Sequence, residues 1–446
     1  MDKITVEGYR CFRERQSARL APLTLLVGNN STGKTSFLAL IRALWEVAFL
    51  SESPDFQKDP YDLGTFRDIA HNRGGRGGRV RFFEAGFEHS PRPLGQRARR
   101  ARRVNKSFFT RFEERRAVPF PVMRRIAQGE VSLEAHFQET GRYLFRFNTP
   151  PKAGEHTIEY RFRSQDDVNL FPFGAAIRFW DIDDEDSVKI EPEDMEQLEE
   201  LADSFNTFWL TPDSSGSPFA SAPVRSRPRR TYDPVRPSSD PEGEYIPTYL
   251  ANTSRRSPRE WQRLKANLEK FGQSSGLFDE ILIKSLGRSE GEPFQVQIRK
   301  SGSRRLKGPF KNLIDMGYGV SQALPVITEL LRRDSPQMFL LQQPEVHLHP
   351  SAQASLGSFF CNIAAEGSKQ IIVETHSDHL LDRVRMDVRD GKAGLKPQDV
   401  SILFFEEGEL DVHIHSIRLD ENGNVLDAPP SYRRFFMEET RRSIGL

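Results

Sequence analysis

The sequence predicts an α/β protein with a P-loop nucleotide-binding core, and three stretches carry that prediction. The first is an apolar run at residues 23–27, followed by a glycine-rich turn and an amphipathic run at residues 36–45. The other two are short apolar runs, residues 338–341 and 370–374, that each end in polar residues. Strand, glycine turn and helix in this order form a phosphate-binding unit, and polar residues after buried parallel strands are typical of ligand sites.

The glycine-rich turn matches the phosphate-loop pattern G-x-x-x-x-G-K-[ST]. Gly28 and Gly33 let the backbone curl so that its N–H groups and the positive end of the next helix face one anion. Lys34 is expected to reach the β- and γ-phosphates of ATP, and the Thr35 hydroxyl to bind Mg²⁺. A chance match is disfavoured because the pattern and its flanking elements agree. The predicted nucleotide-binding residues of this loop are Gly28, Asn29, Asn30, Ser31, Thr32, Gly33, Lys34, Thr35 and Ser36.

The other two strand-like runs predict the second half of the site. The run at residues 338–341 leads into Gln342, Gln343 and Glu345, where a P-loop protein holds the water shell of Mg²⁺ and the attacking water. The run at residues 370–374 is followed by His376, which is well placed to contact a γ-phosphate. A lone histidine there would be interpreted as a capped turn residue, but three strand-end motifs in one chain favour a functional role.

His347 and His349 raise a metal-site alternative, because His-x-His spacing can present two nitrogens. No cysteine or third histidine accompanies them. Packing of the turn that leads into a predicted helix at residues 351–365 is therefore the favoured interpretation.

Composition argues against several classes of protein. The formal net charge of the 446 residues is +1, so no global field favours nucleic acid or a membrane as partner. The two cysteines, Cys11 and Cys361, lack metal-ligand spacing and suit a reducing interior without disulfides. The N-terminus lacks the apolar segment of a signal peptide, and no run reaches about 18 uninterrupted apolar residues. We expect a soluble, cytoplasmic protein.

Arginines interleaved with phenylalanines are concentrated between Arg97 and Arg116. Such a pattern could hold a nucleic-acid backbone and stack on bases, so DNA contact is one interpretation. A charge run alone is weak evidence, and a solvated basic helix or a surface docked on acidic residues is favoured. Acidic stretches at residues 181–186 and 191–203 could neutralise the arginines within the chain or across a dimer.

The length allows two or three units of ordinary size. We predict four segments: the N-terminal part of an ATPase head with the phosphate loop at 1–75, an inserted α+β arm at 76–210, a Pro/Ser/Arg-rich loop that returns to the head at 211–310, and the C-terminal part of the head at 311–446. Further local predictions are an edge strand within residues 3–12, a loop at 211–257, a helix at 261–271 and a strand at 294–299.

Taken together, these residues resemble the ABC-type ATPases of the SMC, RecF and OLD group, and best the bacterial stand-alone AAA-like ATPases whose strand-end motif reads E-Q-P-E-x-H-L-H-P. The resemblance covers residues 4–50 and about 313–419, and it is loose between them. It implies an ABC-type P-loop NTPase head with a mixed sheet and helices on both faces, plus an inserted α+β region.

The resemblance also implies an assembly. Residues 315–325 look like the signature segment that crosses a dimer interface, so that Ser321 caps the partner's γ-phosphate. Without that context, Ser321 is interpreted as the N-cap of a helix that runs to Leu331. The implied assembly is a head-to-tail homodimer, or a larger assembly of dimers, with two ATP molecules between the heads.

One position departs from the family's pattern. The first polar residue after the strand is normally Asp or Glu, and here it is Gln342. A neutral amide can orient a Mg²⁺-bound water but supplies no charge to balance the metal and cannot act as a general base. Glu345, which matches the family's motif, is therefore the predicted water-polarising residue. Slow hydrolysis, or ATP that clamps the dimer closed, follows from this departure.

Three functions compete. The resemblance implies an ATPase switch of a prokaryotic defence system that controls a separate effector, a nuclease or a toxin, since the 70 residues after His376 are too few for a Toprim nuclease domain. The alternative is a RecF- or SMC-like DNA-binding ATPase of DNA repair or recombination that uses the arginines from Arg97 to Arg116. A transporter ATPase is disfavoured because the signature segment departs strongly from those of transporters.

Overall fold

The chain forms two compact units in the computed structural model. The first contains Met1–Leu20, Asn29–Ser217 and Phe405–His415, and the second contains Ala21–Gly28, Pro218–Phe404 and Ser416–Leu446. The residues that the structure describes are 1–50, 54–75, 77–89, 105–129, 131–137, 142–148, 156–161, 217–234, 240–287, 291–300, 308–434, 438, 441 and 442. The acidic stretches at 181–186 and 191–203, and the arginines from Arg97 to Arg103, lie outside them.

The first unit is built on an eight-stranded sheet. Its strands are β1 (Lys3–Glu7), β2 (Gln16–Arg19), β4 (Phe82–His89), β5 (Lys106–Arg115), β6 (Val118–Gln128), β7 (Val131–Phe137), β8 (Arg142–Asn148) and β9 (His156–Arg161). Neighbours in the order β2-β1-β4-β5-β6-β7-β8-β9 all pair antiparallel. The predicted edge position of the first strand is wrong, because the chain turns back after β1 and β2 covers its outer side.

Helix α1 (Lys34–Trp45) of the first unit begins directly at the phosphate loop and continues as a π-helical turn, Glu46–Leu50. The predicted helix is confirmed. Most of its side chains are buried, including Arg42, which donates to the carbonyl oxygens of Lys58 and Asp59 at 2.7 and 2.6 Å. A single-turn helix, α2 (Phe66–Ile69), follows.

Aromatic rings anchor α1 within the first unit. Phe37 of α1 packs edge-on against Phe405 with ring centroids 5.6 Å apart, and Phe12 contacts both rings. On the sheet, Phe83 stacks on Phe112 at 4.8 Å. Such pairs contribute about 0.5–1.5 kcal/mol each beyond the burial of their area. The contacts of Phe37 with Phe12 and Phe405 therefore hold the first turn of α1, which follows the phosphate loop directly.

A seven-stranded mixed sheet carries the second half of the predicted site. Its strands are β3 (Leu23–Gly28), β10 (Phe219–Ser221), β14 (Met338–Gln342), β15 (Gln370–Glu374), β16 (Val400–Glu407), β17 (Val412–Leu419) and β18 (Val425–Leu426), in the order β10-β14-β15-β3-β16-β17-β18. The first four in this order run parallel. Every residue of β14 is buried, as expected for an apolar run in a covered parallel strand. The predicted strands at 338–341 and 370–374 are confirmed.

The second unit adds helices and a small antiparallel sheet. The helices are α3 (Ile246–Arg256), α4 (Pro258–Ser275), α5 (Tyr318–Leu331), α6 (Pro350–Ala365) and α7 (Asp378–Arg389), with 3₁₀ turns at Leu313–Asp315, Lys392–Gly394 and Pro397–Asp399. The small sheet consists of β11 (Glu280–Ser285), β12 (Phe294–Arg299) and β13 (Lys311–Asn312). The predicted helix at 261–271 and strand at 294–299 are confirmed.

The predicted loop at residues 211–257 is wrong in two places. Phe219–Ser221 forms β10, which gains its hydrogen bonds from β14 rather than from any local pattern. Ile246–Arg256 forms α3, where Pro247 occupies the first turn and needs no backbone partner. A proline-rich composition thus concealed two elements that tertiary contacts stabilise.

The α/β class with a mixed sheet is confirmed. The core of the second unit is one cluster of buried apolar side chains that includes Leu25, Leu250, Ile327, Leu341 and Val373. Among the described residues, no helix combines the length and the apolar character needed to span a bilayer.

Candidate active site

The phosphate loop closes around its own lysine. Lys34 is only 3% exposed, and its Nζ donates to the carbonyl oxygen of Asn29 at 2.5 Å and to Thr32 Oγ1 at 3.4 Å. Thr32 Oγ1 donates in turn to the Asn29 carbonyl at 2.9 Å. Residues 29–31 and Thr35 are exposed. An exposed rim thus surrounds a buried ammonium group at the positive end of α1, and this arrangement fits the phosphates of a nucleotide.

Gly33 is required by both conformation and packing. It is the N-cap of α1 and has a φ of +86°. A Cβ at this position would lie 2.3 Å from Cys11 Sγ and 3.2 Å from Phe12 Cζ. Burial raises the pKa of the Cys11 thiol to about 11, so the sulfur stays protonated at neutral pH. Cys11 and Phe12, in the turn between β1 and β2, therefore pack against the phosphate loop so closely that only glycine fits at position 33.

The carboxyl ends of four parallel strands lie at one edge of the mixed sheet. Gln342 pairs with Glu374, and Glu374 pairs with Leu26 of β3. The hydroxyl of Ser221, the last residue of β10, accepts from the backbone N–H of Gln342 at 3.3 Å. The ends of β14 and β15 that the sequence predicted are therefore neighbours. Strand β3 ends at this same edge, and the chain continues from it into residues 29–36.

Glu345 is the buried carboxylate of this edge, with 5% of its surface exposed. Its Oε1 accepts from Thr375 Oγ1 at 2.7 Å and from the His376 backbone N–H at 2.9 Å. Its Oε2 is buried and has no hydrogen-bond partner in the described part of the chain. Burial raises the pKa of Glu345, while both hydrogen bonds and the charge of Arg225 lower it. A carboxylate fixed through one oxygen can offer the other to a water molecule.

Gln342 and Gln343 occupy a backbone segment under strain. Gln342 is 5% exposed, and its Nε2 is buried without a hydrogen-bond partner among the described residues. Gln343 has a φ of +38° and His347 a φ of +67°, values that side-chain-bearing residues rarely adopt. Such strain concentrates at functional sites. The unpartnered Nε2 of Gln342 can donate to a water molecule at this edge, and the unpartnered Oε2 of Glu345 can accept from one. Glu345 supplies the negative charge here.

The two histidines of the turn have separate local contacts. His349 is the N-cap of α6, and its Nδ1 accepts from the backbone N–H of Ser351 at 3.3 Å. The His347 ring lies 5.7 Å from the ring of Tyr318. The structure thus gives both residues packing roles in the turn between β14 and α6, in agreement with the favoured interpretation of the sequence.

His376 lies exposed between two hydrogen-bonded residues. Its neighbour Thr375 is buried, and the Thr375 backbone N–H donates to the carbonyl of Leu26 in β3 at 3.1 Å. Ser377 caps α7, because its Oγ accepts from the Leu380 N–H at 3.0 Å. The imidazole is therefore presented to solvent at the edge where β3 also ends.

Ser321 lies inside the first turn of α5, so its interpretation as an N-cap is wrong. The cap is Gly317, and Ser321 Oγ donates to the carbonyl of Tyr318 at 2.9 Å. Ser321 is 5% exposed, whereas Tyr318 at the start of the helix is 56% exposed. The helix begins at Tyr318, three residues before Ser321, so the Ser321 hydroxyl lies within the helix and not at its cap.

Sequence reasoning missed Arg225, which lies four residues beyond β10 at the same edge. It is 2% exposed. Burial lowers its pKa to about 10, and the charge of Glu345 raises it. The signal was weak, because the three-residue strand before it is embedded in a segment rich in proline and arginine.

The described part of the arginine-rich segment is strand, not basic helix. Arg111 of β5 forms an ion pair with Glu84 and lies over the ring of Phe82 at 4.3 Å. Arg115 lies over the rings of Phe120 and Phe137, both at 4.7 Å. The alternation of arginine and phenylalanine therefore serves contacts within the sheet.

Comparisons with known proteins follow this geometry. The family model described as "AAA domain, putative AbiEii toxin, Type IV TA system" matches residues 23–382. Among solved structures, an SMC head bound to the C-terminal winged-helix domain of ScpA gives a TM-score of 0.43 at 10% identity over 94% of this chain and 98% of that one. The Pyrococcus furiosus SMC head with an extended coiled coil, bound to the C-terminal domain of ScpA, gives 0.42 at 9% identity over 99% of both chains. The Thermotoga maritima SMC head gives 0.34 at 12% over 93% and 98%. No curated protein matches the sequence.

Proposed function

The chain belongs to the AAA-domain family of putative AbiEii toxins from type IV toxin–antitoxin systems, and we propose that it is an ATP-driven switch of a prokaryotic defence system. It binds ATP with Mg²⁺ in the cytoplasm, dimerises head-to-tail around the nucleotide and controls a separate effector protein. The proposal depends on one observation above all: strands β14 and β15 are parallel neighbours, and the buried carboxylate of Glu345 after β14 accepts from Thr375 and from the His376 backbone N–H after β15.

In this proposal each residue has a limited task. Lys34 and the N–H groups of the loop hold the phosphates, and Thr35 and Gln342 hold the hydrated Mg²⁺. Bound Mg²⁺ neutralises charge on the phosphate oxygens. Glu345 Oε2 accepts a hydrogen bond from the attacking water and takes its proton. Because Gln342 is neutral and does not balance the charge of Mg²⁺, we expect slow turnover of ATP.

Dimerisation is proposed through the start of α5. Tyr318 is exposed there, and Ser321 follows it within one turn. The test is light scattering of the purified 51.1 kDa chain with and without Mg-ATP. We expect the mass to double with ATP in the parent, and Ser321→Ala to prevent this.

A matched control is available in α3. Ser254 Oγ donates to the carbonyl of Ala251, three residues earlier in α3, at 2.8 Å. Ser321 Oγ makes the same kind of bond in α5, to the carbonyl of Tyr318. Ser254→Ala should dimerise like the parent. A parent that stays monomeric with Mg-ATP, or an equal loss in both variants, would contradict the proposed interface.

Control of an effector has its own test. The chain is co-purified with the product of a neighbouring gene in the presence of Mg-ATP, and again as Lys34→Ala. We expect the parent to retain this partner and Lys34→Ala to release it. A complex that is unchanged in Lys34→Ala would argue strongly against a nucleotide-controlled switch.

A second candidate, binding of a nucleic-acid phosphate backbone, is favoured by a groove in the first unit. A cavity of about 420 Å³ is lined by Arg13, Arg73, Arg79 and Arg81, with Glu7 as an acidic neighbour. Within the described residues, none of these four guanidinium groups forms an ion pair. This separates them from Arg111, which Glu84 neutralises.

The test of this candidate is fluorescence anisotropy with duplex DNA over a salt series. If the groove binds phosphates, Arg79→Ser with Arg81→Ser should weaken binding and reduce the salt slope by about 0.9 per lost contact. Arg111→Ser should leave the slope unchanged. If the double variant and Arg111→Ser change DNA affinity and salt slope equally, the groove is not the binding surface.

A further inference from the structure

Arg225 is a buried cation with unused hydrogen-bonding capacity. Its Nη1 donates to the carbonyl of Pro223 at 3.1 Å. Its Nε and Nη2 are buried and find no hydrogen-bond acceptor in the described part of the chain. A buried guanidinium normally has partners for its donors, since leaving one unsatisfied costs about 1–3 kcal/mol. A side chain kept in this state needs a reason other than stability.

The backbone of Arg225 is held in place by Gln322 of α5. The Arg225 N–H donates to Gln322 Oε1 at 2.9 Å, and Gln322 Nε2 donates back to the Arg225 carbonyl at 3.3 Å. Gln322 is 1% exposed, so this reciprocal pair is fully buried. The segment after β10 is thereby fixed to the helix that contains Ser321. The backbone of Arg225 is therefore fixed by a buried contact with α5, and the guanidinium is held by its bond to the Pro223 carbonyl.

Glu345 is the counterpart of this cation. It too is buried, and its Oε2 lacks a hydrogen-bond partner while Oε1 has two. The charges of the two residues act on each other, yet no direct ion pair joins them among the described residues. Two opposite buried charges that act on each other, each with unused hydrogen-bonding capacity, can share one oxygen atom as a common partner.

We propose that Arg225 is a positioning residue for Glu345: its charge stabilises the ionised carboxylate, and its Nε and Nη2 donate to the oxygen that Glu345 Oε2 also binds. This inference rests on the proposed ATP hydrolysis, in which that oxygen belongs to the attacking water. Arg225 thus aligns the water between guanidinium and carboxylate. Through its bonds to the Arg225 backbone, Gln322 connects this arrangement to α5.

The kinetic test compares the parent with Arg225→Gln and Arg225→Lys in phosphate release from Mg-ATP. We expect Arg225→Gln to lower kcat at least tenfold while KM changes less than threefold, because nucleotide binding does not use Arg225. Arg225→Lys keeps the charge and should recover part of kcat. Arg299→Gln, which removes a half-buried arginine ion-paired with Glu280 on the small sheet, is the control and should match the parent. A kcat of Arg225→Gln within twofold of the parent, or an equal loss in Arg299→Gln, would overturn the assignment.

A second measurement does not need turnover. Thermal unfolding is recorded for Arg225→Gln, Glu345→Gln and the double variant. We expect non-additivity: the Tm change caused by Arg225→Gln should be less favourable in the parent than in the Glu345→Gln background, where no carboxylate charge remains to be stabilised. Additive shifts would refute the pairing. If the parent releases no phosphate but the shifts are non-additive, the proposed hydrolysis fails while the pairing of Arg225 with Glu345 stands.

Discussion

Replacing Gly33 by alanine tests the geometry of the phosphate loop directly. The residue has a φ of +86°, and left-handed backbone costs a residue with a Cβ about 1–2 kcal/mol. The new Cβ would also meet Cys11 Sγ at 2.3 Å, and overpacking of this kind costs typically about 1–3 kcal/mol. We therefore expect Gly33→Ala to lower the free energy of unfolding by about 2–5 kcal/mol in total. Urea-induced unfolding, followed by tryptophan fluorescence, measures this loss.

The two contributions can be separated with a second change. Cys11→Ala removes the sulfur, after which the nearest atom to the new Cβ is Phe12 Cζ at 3.2 Å. In the double variant, the loss of about 1–3 kcal/mol that comes from overpacking should disappear, because the sulfur is gone. The loss that comes from the left-handed backbone should remain. Cys11→Ala alone is the control. An unchanged urea midpoint in Gly33→Ala, or strictly additive losses in the double variant, would refute the reasoning.

Three further predictions concern buried charges. Arg42→Ala should cost about 1–3 kcal/mol in urea unfolding, because it removes the buried hydrogen bonds to the Lys58 and Asp59 carbonyls and leaves the 2%-exposed Glu46 with Lys58 alone, at 3.3 Å, as ion-pair partner. Burial raises the pKa of Glu329 from 4.5 to about 7, so the folded state binds the carboxyl proton more tightly than the unfolded state does. The protein therefore loses stability as the pH rises from about 4.5 to about 7. Glu329→Gln should then be more stable than the parent by up to about 3 kcal/mol at pH 8 and show no gain below about pH 4, as thermal melts at both pH values would reveal. Burial likewise raises the pKa of Glu345, so the stability of Glu345→Gln relative to the parent should improve as pH rises above the ordinary carboxyl value of about 4.5; a relative Tm that does not change with pH would contradict the described environment.

The parts of the fold that were predictable from sequence have strong local signals. The strand at 370–374 is a continuous apolar run, and the phosphate loop is a fixed pattern between a strand and a helix. Both patterns are local in sequence, so composition and hydrophobic period are enough to identify the elements. Glu345 and His376 were found for the same reason, since both follow these strands.

The parts that were missed depend on contacts distant in sequence. Strand β10 has three residues and exists because β14 pairs with it more than a hundred residues later. Arg225 becomes a site residue only through Gln322 and Glu345, which no local pattern connects to it. Propensity and spacing carry no information about such pairings.

ATP hydrolysis that depends on Lys34 and Glu345 is the core of the proposed function. It is tested by phosphate release from Mg-ATP by the purified parent, with Lys34→Ala and Glu345→Gln in parallel. We expect slow but measurable turnover in the parent, loss of nucleotide binding in Lys34→Ala, and retained binding with turnover reduced about 10²–10⁴-fold in Glu345→Gln. A parent that binds ATP without releasing phosphate, or a Glu345→Gln variant as active as the parent, would contradict it.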